Sequence, residues 1–236
     1  MDRATRKELK TDHFAEKVGV AVEEFTTHKK EFTRYAIIAV VVIVLIVGGV
    51  TWYRSQAATR RAAFDSLLRT MEASIAPPGQ AATTGSFATQ EDKDKAVAAA
   101  LDEFTKKYAG TNEEALARYF IASNAIEAGQ LDKALTEVEV AIRSGNSDTA
   151  DVARFMKGNI LASQGKSDDA EKVYRELLSS DSGFMSKDEV TVALAKIVAK
   201  KNPDEAIKLL EPLRLSEGPT QRIASQAITE IQSAKK

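Results

Sequence analysis

Residues 129–134 have the sequence GQLDKA, and related blocks follow at 165–170 (GKSDDA) and at 201–206 (KNPDEA). Their last residues, Ala134, Ala170 and Ala206, are spaced by 36 and 36. Each block lies between two segments whose apolar residues recur every three or four positions, as they do on one face of a helix. Two helices joined by a tight turn, at a period near 34 residues, are typical of a helical-hairpin solenoid.

The segments that flank these blocks predict three hairpins in an all-α domain. Their apolar positions are Leu116, Tyr119, Phe120 and Ile126, then Leu135, Val138 and Ile142; Phe155, Ile160 and Leu161, then Val173, Tyr174, Leu177 and Leu178; and Val190, Leu194 and Ile197, then Ile207, Leu209, Leu210 and Leu213.

This pattern resembles the tetratricopeptide repeat (TPR) family. A small residue, a glycine before the turn and an alanine early in the second helix occur as Ala122, Gly129 and Ala134, and again as Gly158, Gly165 and Ala170. The third hairpin departs from the pattern, with Leu194 at the small position and Lys201 at the glycine. Arg118 and Arg154 stand where the family has a large aromatic residue.

The resemblance extends beyond the three hairpins in both directions. Phe64 to Ile75 and Lys95 to Tyr108 are expected to form a fourth, degenerate hairpin, interrupted by a Pro-rich insertion. Residues 219–233 are expected to form a terminal capping helix with Ile223, Ala227, Ile228 and Ile231 facing inward. The resemblance therefore implies an α-solenoid of about three to four hairpins.

Residues 35–53, YAIIAVVVIVLIVGGVTWY, predict a single transmembrane helix. A helix of this length spans about 28 Å, close to the hydrocarbon thickness of a bilayer. Tyr35 at one end, and Trp52 and Tyr53 at the other, suit the headgroup regions. The alternatives are a buried strand and a cleavable signal peptide. Gly48 and Gly49 either allow close approach of a membrane partner or only soften the helix locally.

The rest of the chain divides around this anchor. Residues 1–34 form a tail, whose apolar stripe from Phe14 to Phe32 predicts an amphipathic helix. That helix would lie on the bilayer or on a partner helix, or be a solvated extension of the anchor. Residues 54–75 are expected to be a membrane-proximal helix, 76–90 a flexible loop, and 91–236 the repeat domain.

The composition excludes several classes of function. The chain has no cysteine, its two histidines are His13 and His28 in the tail, and its net charge is −1. Residues 54–236 therefore lack the groups for a thiolate nucleophile, a Ser-His-Asp triad or a typical zinc site. The balanced charge does not favour nucleic acid as a partner. We expect no enzyme activity, no cofactor, no metal and no small-molecule substrate.

The TPR resemblance implies a groove lined by the first helix of each hairpin. An apolar or extended polypeptide is the expected ligand, with Asn159 able to bond its backbone. The alternative is that Tyr119 and Phe155 are covered by the next helix. The implied groove positions are Leu116, Tyr119, Ser123 and Glu127 in the first hairpin, Val152, Phe155, Asn159 and Ser163 in the second, and Asp188, Thr191 and Ala195 in the third.

The layout as a whole, with a short tail, one anchor and degenerate repeats to the C-terminus, is similar to the YfgM-like TPR proteins. That family includes the ancillary subunit of the SecYEG translocon. The resemblance implies a bacterial inner-membrane protein with a cytoplasmic N-terminus and periplasmic repeats that pass exported chains to chaperones. Local charge does not decide the topology, since Lys29, Lys30 and Arg34 face Arg54, Arg60 and Arg61 across the anchor. The alternative is a self-assembling scaffold facing the cytoplasm.

Overall fold

The computed structural model describes residues 29–77, 82–180 and 184–234, and this part of the chain is mostly helical. The chain divides into two compact units, residues 1–59 and residues 60–236. The first helix, α1 (Lys29–Glu72), contributes residues to both. Most of the predicted amphipathic tail helix, with His13 and His28, lies outside the described residues and stays a prediction.

The apolar part of α1 is helical and uncovered. Its large apolar side chains between Tyr35 and Val50 are 44–69% exposed, as are Trp52 and Tyr53. The Thr51 hydroxyl donates to the carbonyl oxygens of Val47 and Gly48 at 2.9 Å, so this polar group is satisfied within the helix. The helix is long and apolar enough to cross a membrane, with mean hydropathy 2.6 in its most apolar window. It is a candidate membrane span, and its helical conformation excludes a buried strand.

The second unit begins with the end of α1, which stops at Glu72 rather than at the predicted Ile75. Two short strands follow, β1 (Ser74–Ile75) and β2 (Ser86–Phe87), and they pair in parallel. Pro77 disfavours helical backbone at the residue before it, and Ala76 instead donates its N–H to the Phe87 carbonyl at 2.8 Å. The segment predicted as a loop over 76–90 therefore contains an ordered strand.

Eight further helices complete the described part of the second unit, and the hairpins are α3/α4, α5/α6 and α7/α8. The final helix packs on both helices of the third hairpin, in the place expected of the cap. The bounds are α2 (Gln90–Lys107), α3 (Asn112–Glu127), α4 (Leu131–Ser144), α5 (Ser147–Ser163), α6 (Ser167–Leu178), α7 (Lys187–Val198), α8 (Pro203–Arg214) and α9 (Pro219–Ala234).

The end of α1 packs on α2, as the prediction of a degenerate fourth hairpin requires. Leu67 is buried, and the Phe64 and Phe104 rings lie 5.6 Å apart. Arg60 forms an ion pair with Glu113 of α3 at 3.5 Å, which ties the end of α1 to the first hairpin. These contacts make residues 60–72 part of the repeat array.

The capping helix α9 differs from the prediction at one position. Ala224, Ala227 and Ile228 are buried and Ile231 is half-buried, but Ile223 is 46% exposed. Ile223 lies one turn before Ala227, at the edge of the buried stripe rather than in it. The prediction that Ile223 faces inward is therefore wrong.

Candidate functional site

The first helices of the hairpins lie side by side. Helix α3 contacts α5, α5 contacts α7, and α7 contacts α9, whereas the second helices lie farther apart. Helices that approach closely on one side of a solenoid form its inner surface, which is the surface that such proteins use to bind partners. We call the residues of α3, α5 and α7 that line this inner surface, together with those of the turns that follow these helices, the groove face.

The first hairpin presents a half-buried aromatic residue to the groove face. Leu116, Tyr119 and Ser123 are half-buried and Glu127 is exposed. The Tyr119 ring meets the Phe120 ring edge-on, with centroids 6.1 Å apart and planes at 78°. Tyr119 is thus neither fully covered by the next helix nor fully free, and part of its ring remains available for contact.

In the second hairpin, the groove residues are partly engaged by α6. Val152 and Phe155 are half-buried, and the Phe155 ring lies 5.9 Å from the Tyr174 ring. Asn159 is exposed, but its Oδ1 accepts a hydrogen bond from the Tyr174 hydroxyl at 2.7 Å. The hydroxyl of Ser163 donates to the Asn159 carbonyl at 2.9 Å. The amide nitrogen of Asn159, rather than its oxygen, is the group that can meet a ligand backbone.

Tyr174 itself is 1% exposed, and its burial raises the pKa of its hydroxyl to about 12. Loss of the proton would place a charge in a region shielded from water, which is unfavourable. The hydroxyl therefore stays protonated at neutral pH and acts as the donor that fixes the Asn159 side chain on the groove face.

The third hairpin departs from the predicted set. Asp188 and Thr191 are half-buried, and the Thr191 hydroxyl donates to the Lys187 carbonyl of its own helix at 2.7 Å. Ala195 is completely buried, so its predicted place on the groove face is wrong. Leu194, expected at the small-residue position of this hairpin, is also completely buried.

Ala195 is buried because the residues of α7 are shifted by one position relative to the spacing of 36 that the prediction used. The buried residues Ala153, Gly158, Ile160 and Leu161 of α5 match Val190, Ala195, Ile197 and Val198 of α7, each 37 positions later. The alanines of the second helices keep the spacing of 36, so Val198 and Ala206 are one residue closer along the chain than their equivalents Leu161 and Ala170. Ala195, not Leu194, is the small residue of this hairpin.

The shifted register changes which residues of α7, and of the turn after it, lie on the groove face. Moving Val152, Phe155, Asn159 and Ser163 forward by 37 positions gives Glu189, Val192, Lys196 and Lys200. Val192 is buried and the other three are exposed. Sequence reasoning missed both lysines. The signal for them was the pair Ile160-Leu161, which recurs as Ile197-Val198 at a spacing of 37.

Arg118, which replaces the expected aromatic residue, holds the first hairpin together. Its Nε donates to Glu114 at 3.0 Å and its Nη1 to Glu137 of α4 at 2.7 Å. Burial lowers the pKa of Arg118, but the bonds from Glu137 and Glu114 outweigh this and raise its pKa overall. Glu114, 3% exposed, also accepts from the Gly110 N–H at 2.6 Å. A charged network thus takes the place of an aromatic ring in this hairpin.

Arg154 takes the same position in the second hairpin but bonds within α5. Its Nη1 donates to Asp151 at 2.5 Å, and Asp151 also accepts from the Ser180 hydroxyl at 2.9 Å. Asp151 is 1% exposed. A buried carboxylate is stable only when it is paired and hydrogen-bonded, so these bonds join the start of α5 to the segment after α6.

Polar bonds also join successive hairpins. Asn112 accepts from the Asn146 N–H at 2.9 Å, which links the starts of α3 and α5. The Gln164 amide donates to Asp132 at 2.8 Å, which links the turn after α5 to the start of α4. Such contacts between neighbouring repeats hold the groove face in a defined arrangement.

The described residues contain no group of three or more His, Asp or Glu side chains arranged to hold a metal ion. The carboxylates of Glu137, Asp151 and Glu139 instead form ion pairs with Arg118, Arg154 and Lys157, respectively. The arrangement has the chemistry of a binding surface: apolar patches, an exposed amide and, at one end, two lysines. Helical-hairpin repeats of this kind are typically non-catalytic scaffolds that bind proteins.

The solved structures that resemble this fold are TPR-like arrays. One is the crystal structure of nearly identical TPR-like repeats from a Podosopora anserina protein described as a kinesin light chain, at TM-score 0.53 and 12% identity over 74% of this chain and 86% of that one. A single-residue variant of the same repeats matches at TM-score 0.53 and 12% identity, over 74% and 85%. At this identity the likeness concerns the fold alone.

No curated protein sequence matches the chain. A family model does: the one described as a tetratricopeptide repeat-like domain matches residues 28–182, well over half of the 236 residues. The matched range includes the apolar helix α1 as well as the first two complete hairpins. The chain therefore belongs to the tetratricopeptide repeat-like domain family.

Proposed function

We propose that this chain is a non-catalytic, membrane-anchored adaptor that binds protein partners on the groove face. The observation that carries the proposal is that one helix, α1, contains both a candidate membrane span and a segment of the repeat array. Its first part is apolar and uncovered, and its last part packs into the repeat array through Phe64 and Leu67. A tether of this kind raises the local concentration of the groove at a membrane even when each contact is weak.

The proposed location is the bacterial inner membrane, with the tail in the cytoplasm and the repeats outside it. Long domains cross the membrane largely regardless of their charge, and the layout resembles the YfgM-like proteins. Protease added to spheroplasts should digest the repeats and leave the tail intact. Protection of the repeats, with an epitope in the tail cleaved, would support a scaffold that faces the cytoplasm.

The finer proposal is association with the Sec translocon and transfer of exported chains to periplasmic chaperones. Its support is the similarity of layout to the YfgM-like family. The test is photocrosslinking in native membranes from Gly48, Tyr119 and Phe155. No neighbouring atom lies within 4 Å of a Cβ built at Gly48, so a probe is accommodated there. A probe at Lys208, exposed on α8, is the matched control.

Three crosslinking outcomes distinguish a translocon-associated adaptor, an adaptor of another membrane complex and a self-assembling scaffold. Channel subunits captured from Gly48, with exported chains or chaperones captured from Tyr119 or Phe155 but not from Lys208, support the proposal. Capture of other membrane complexes from Gly48 would support the adaptor proposal and contradict the proposed association with the Sec translocon. Crosslinks only between copies of this chain would replace the adaptor by a self-assembling scaffold.

A further inference from the structure

The connecting segments that lead into α3, α5, α7 and α9 lie along one edge of the second unit, because successive helices of the array are antiparallel. We call this the inter-hairpin edge. Polar contacts run along it: the Asn146 N–H donates to Asn112, and the Ser180 hydroxyl donates to Asp151. The turns within the hairpins lie at the opposite edge of the same unit.

The chain enters the second unit at the inter-hairpin edge. Arg60, the first residue of this unit, forms its ion pair with Glu113, the second residue of α3. Six residues, 54–59, separate Arg60 from Tyr53 at the end of the apolar run. Even a fully extended chain covers at most about 25 Å over this separation. The start of the inter-hairpin edge is therefore tethered within that distance of a bilayer that the apolar run spans.

Exposed apolar side chains collect at the same edge. Among the described residues of the second unit, the large apolar side chains that are 41–71% exposed are Ile75, Phe184, Leu215 and Ile223. Phe184 precedes α7, Leu215 precedes α9, and Ile223 lies in the second turn of α9. Ile75, in β1, lies at the opposite edge. Exposed apolar residues on a soluble surface are normally scattered singly, whereas three of these four lie on the side where the tether enters.

Two of these exposed side chains extend from backbone that is held in place. Met185, next to Phe184, packs against the apolar core that α5 to α9 share. Leu213, two residues before Leu215, is buried, and its carbonyl accepts from the Ser216 hydroxyl at 2.7 Å. Phe184 and Leu215 are thus each next to residues fixed on the core, and both side chains remain uncovered.

No excess of positive charge surrounds these side chains. Lys187 and Arg222 are exposed beside them, and so are the carboxylates of Glu189 and Glu217, while Asp188 is half-buried. Surfaces that bind membranes through charge carry clusters of Lys and Arg. The inter-hairpin edge therefore offers apolar contact rather than attraction to anionic lipid. Weak apolar contact is sufficient where a tether keeps the local concentration of the surface high.

We propose that the inter-hairpin edge is a lipid-contact surface, at which Phe184, Leu215 and Ile223 enter the headgroup region of the bilayer that α1 spans. This rests on the membrane anchoring in the proposed function and adds a second point of attachment to the same membrane. Large apolar side chains beside charged ones suit this boundary. The groove face lies along the sides of α3, α5 and α7, so lipid contact at this edge leaves it open to protein partners.

The test places a fluorophore at each edge of the full chain in proteoliposomes. The chain has no cysteine, so a single introduced cysteine gives a single site for the fluorophore NBD. Gln221→Cys labels the inter-hairpin edge and Gln130→Cys the opposite edge, and both residues are exposed. The vesicles are phosphatidylcholine containing a lipid with a nitroxide on its headgroup, which quenches NBD at short range. We expect strong quenching at residue 221 and little at residue 130.

Serine substitutions identify the contact. Phe184→Ser combined with Leu215→Ser should lower the ratio of docked to undocked repeat units by at least about tenfold, because burial of each large apolar side chain is favourable by about that factor. Most of the quenching at residue 221 should then be lost. Ile75→Ser, the matched control, removes an exposed apolar side chain from the opposite edge and should leave the quenching unchanged. Added phosphatidylglycerol should change it little. Far-UV circular dichroism checks that the variants fold.

Flotation of the chain with the vesicles on a density gradient tests the anchor separately. Three results for a chain that floats would overturn the inference: equal quenching at residues 130 and 221, no effect of the serine pair, or quenching that requires phosphatidylglycerol. The proposal of a membrane-anchored adaptor would be unaffected by them. A chain that does not float would contradict both the anchor and the lipid-contact surface.

Discussion

A Cβ built at Gly158 would lie 2.4 Å from Cε1 of Tyr174 and 2.8 Å from its Cζ. The two helices of the second hairpin therefore touch at a point where one has no side chain and the other has a buried aromatic ring. Gly158 fits the small-residue position of the repeat, and Tyr174 fills the space that the glycine leaves. This contact also sets the position of the hydroxyl that bonds Asn159 on the groove face.

The first prediction is that Gly158→Ala destabilises the repeat domain. The ring must shift to admit the methyl group, and overpacking of this kind outweighs the better helix propensity of alanine by about 1–2 kcal/mol. Urea unfolding of the full chain in micelles, followed by circular dichroism, should show a lower midpoint. In a Tyr174→Leu background the same substitution should be neutral or stabilising, because the obstructing ring is gone. An equal loss in both backgrounds would contradict the contact.

The second prediction concerns the pH dependence of stability. The pKa of Tyr174 is raised by burial to about 12, above the ordinary value of 10. A group whose pKa is raised on folding contributes stability that is fully present below the unfolded pKa and is lost as pH rises through the folded one. The native chain should therefore lose stability between about pH 10 and pH 12 relative to Tyr174→Phe, which cannot ionise there.

Urea midpoints of both proteins across that range measure the difference. Near pH 8 the phenylalanine variant should be less stable by about 0.5–1 kcal/mol, because the hydrogen bond to Asn159 is lost. The gap should then narrow and reverse in sign as the pH rises. Parallel curves would show that the Tyr174 hydroxyl is not held in a water-excluded site.

Much of this fold can be predicted from local sequence patterns. The structure differs from the prediction where contacts between residues distant in the sequence determine the conformation. The hairpins are predictable because their apolar residues recur every three or four positions and the blocks recur every 36 residues. The candidate membrane helix is predictable because the run 35–53 is long and apolar. The strand Ser74–Ile75 depends on pairing with Ser86–Phe87, which no local pattern reveals. Ile223 is exposed because α9 has no later helix to cover that edge among the described residues.

The groove face is predictable only in part, for a related reason. Ala170 and Ala206 have the spacing expected of the repeat, so an alignment that begins from them places α7 one residue out of register. That single shift exchanges Ala195 for Lys196, a core residue for an exposed cation. The binding roles of Tyr119, Phe155 and Asn159 stay predictions, since the structure gives their positions and not their partners.

The third prediction is that Arg118→Ala destabilises the first hairpin. The substitution leaves the buried Glu114 with the Gly110 N–H as its remaining bond among those described above, and removes the link to Glu137. A loss of about 2–3 kcal/mol is expected for a buried charged acceptor deprived of its partner. Hydrogen–deuterium exchange should speed up in α3 and α4 first.

Arg143→Ala is the matched control for this prediction. Arg143 lies exposed in the last turn of α4, so its removal should change stability by less than about 0.5 kcal/mol. Adding Glu114→Gln to Arg118→Ala should recover part of the loss, because a neutral amide in that place needs no counter-charge. Equal effects of the two arginine substitutions would show that the charged network does not hold the hairpin.

The fourth prediction compares the turns. Gly165 has φ +76°, a conformation that costs an L side chain about 1 kcal/mol, so Gly165→Ala should destabilise by about that amount. Lys201 replaces this glycine in the third block, but no described residue other than glycine has positive φ. Lys201→Gly should therefore also destabilise, by about 0.5–1 kcal/mol, because the glycine only adds freedom to the unfolded chain. A gain in the urea midpoint from Lys201→Gly would show that residue 201 takes the positive-φ conformation of Gly165. The one-residue shift that places Lys196 and Lys200 on the groove face would then be withdrawn.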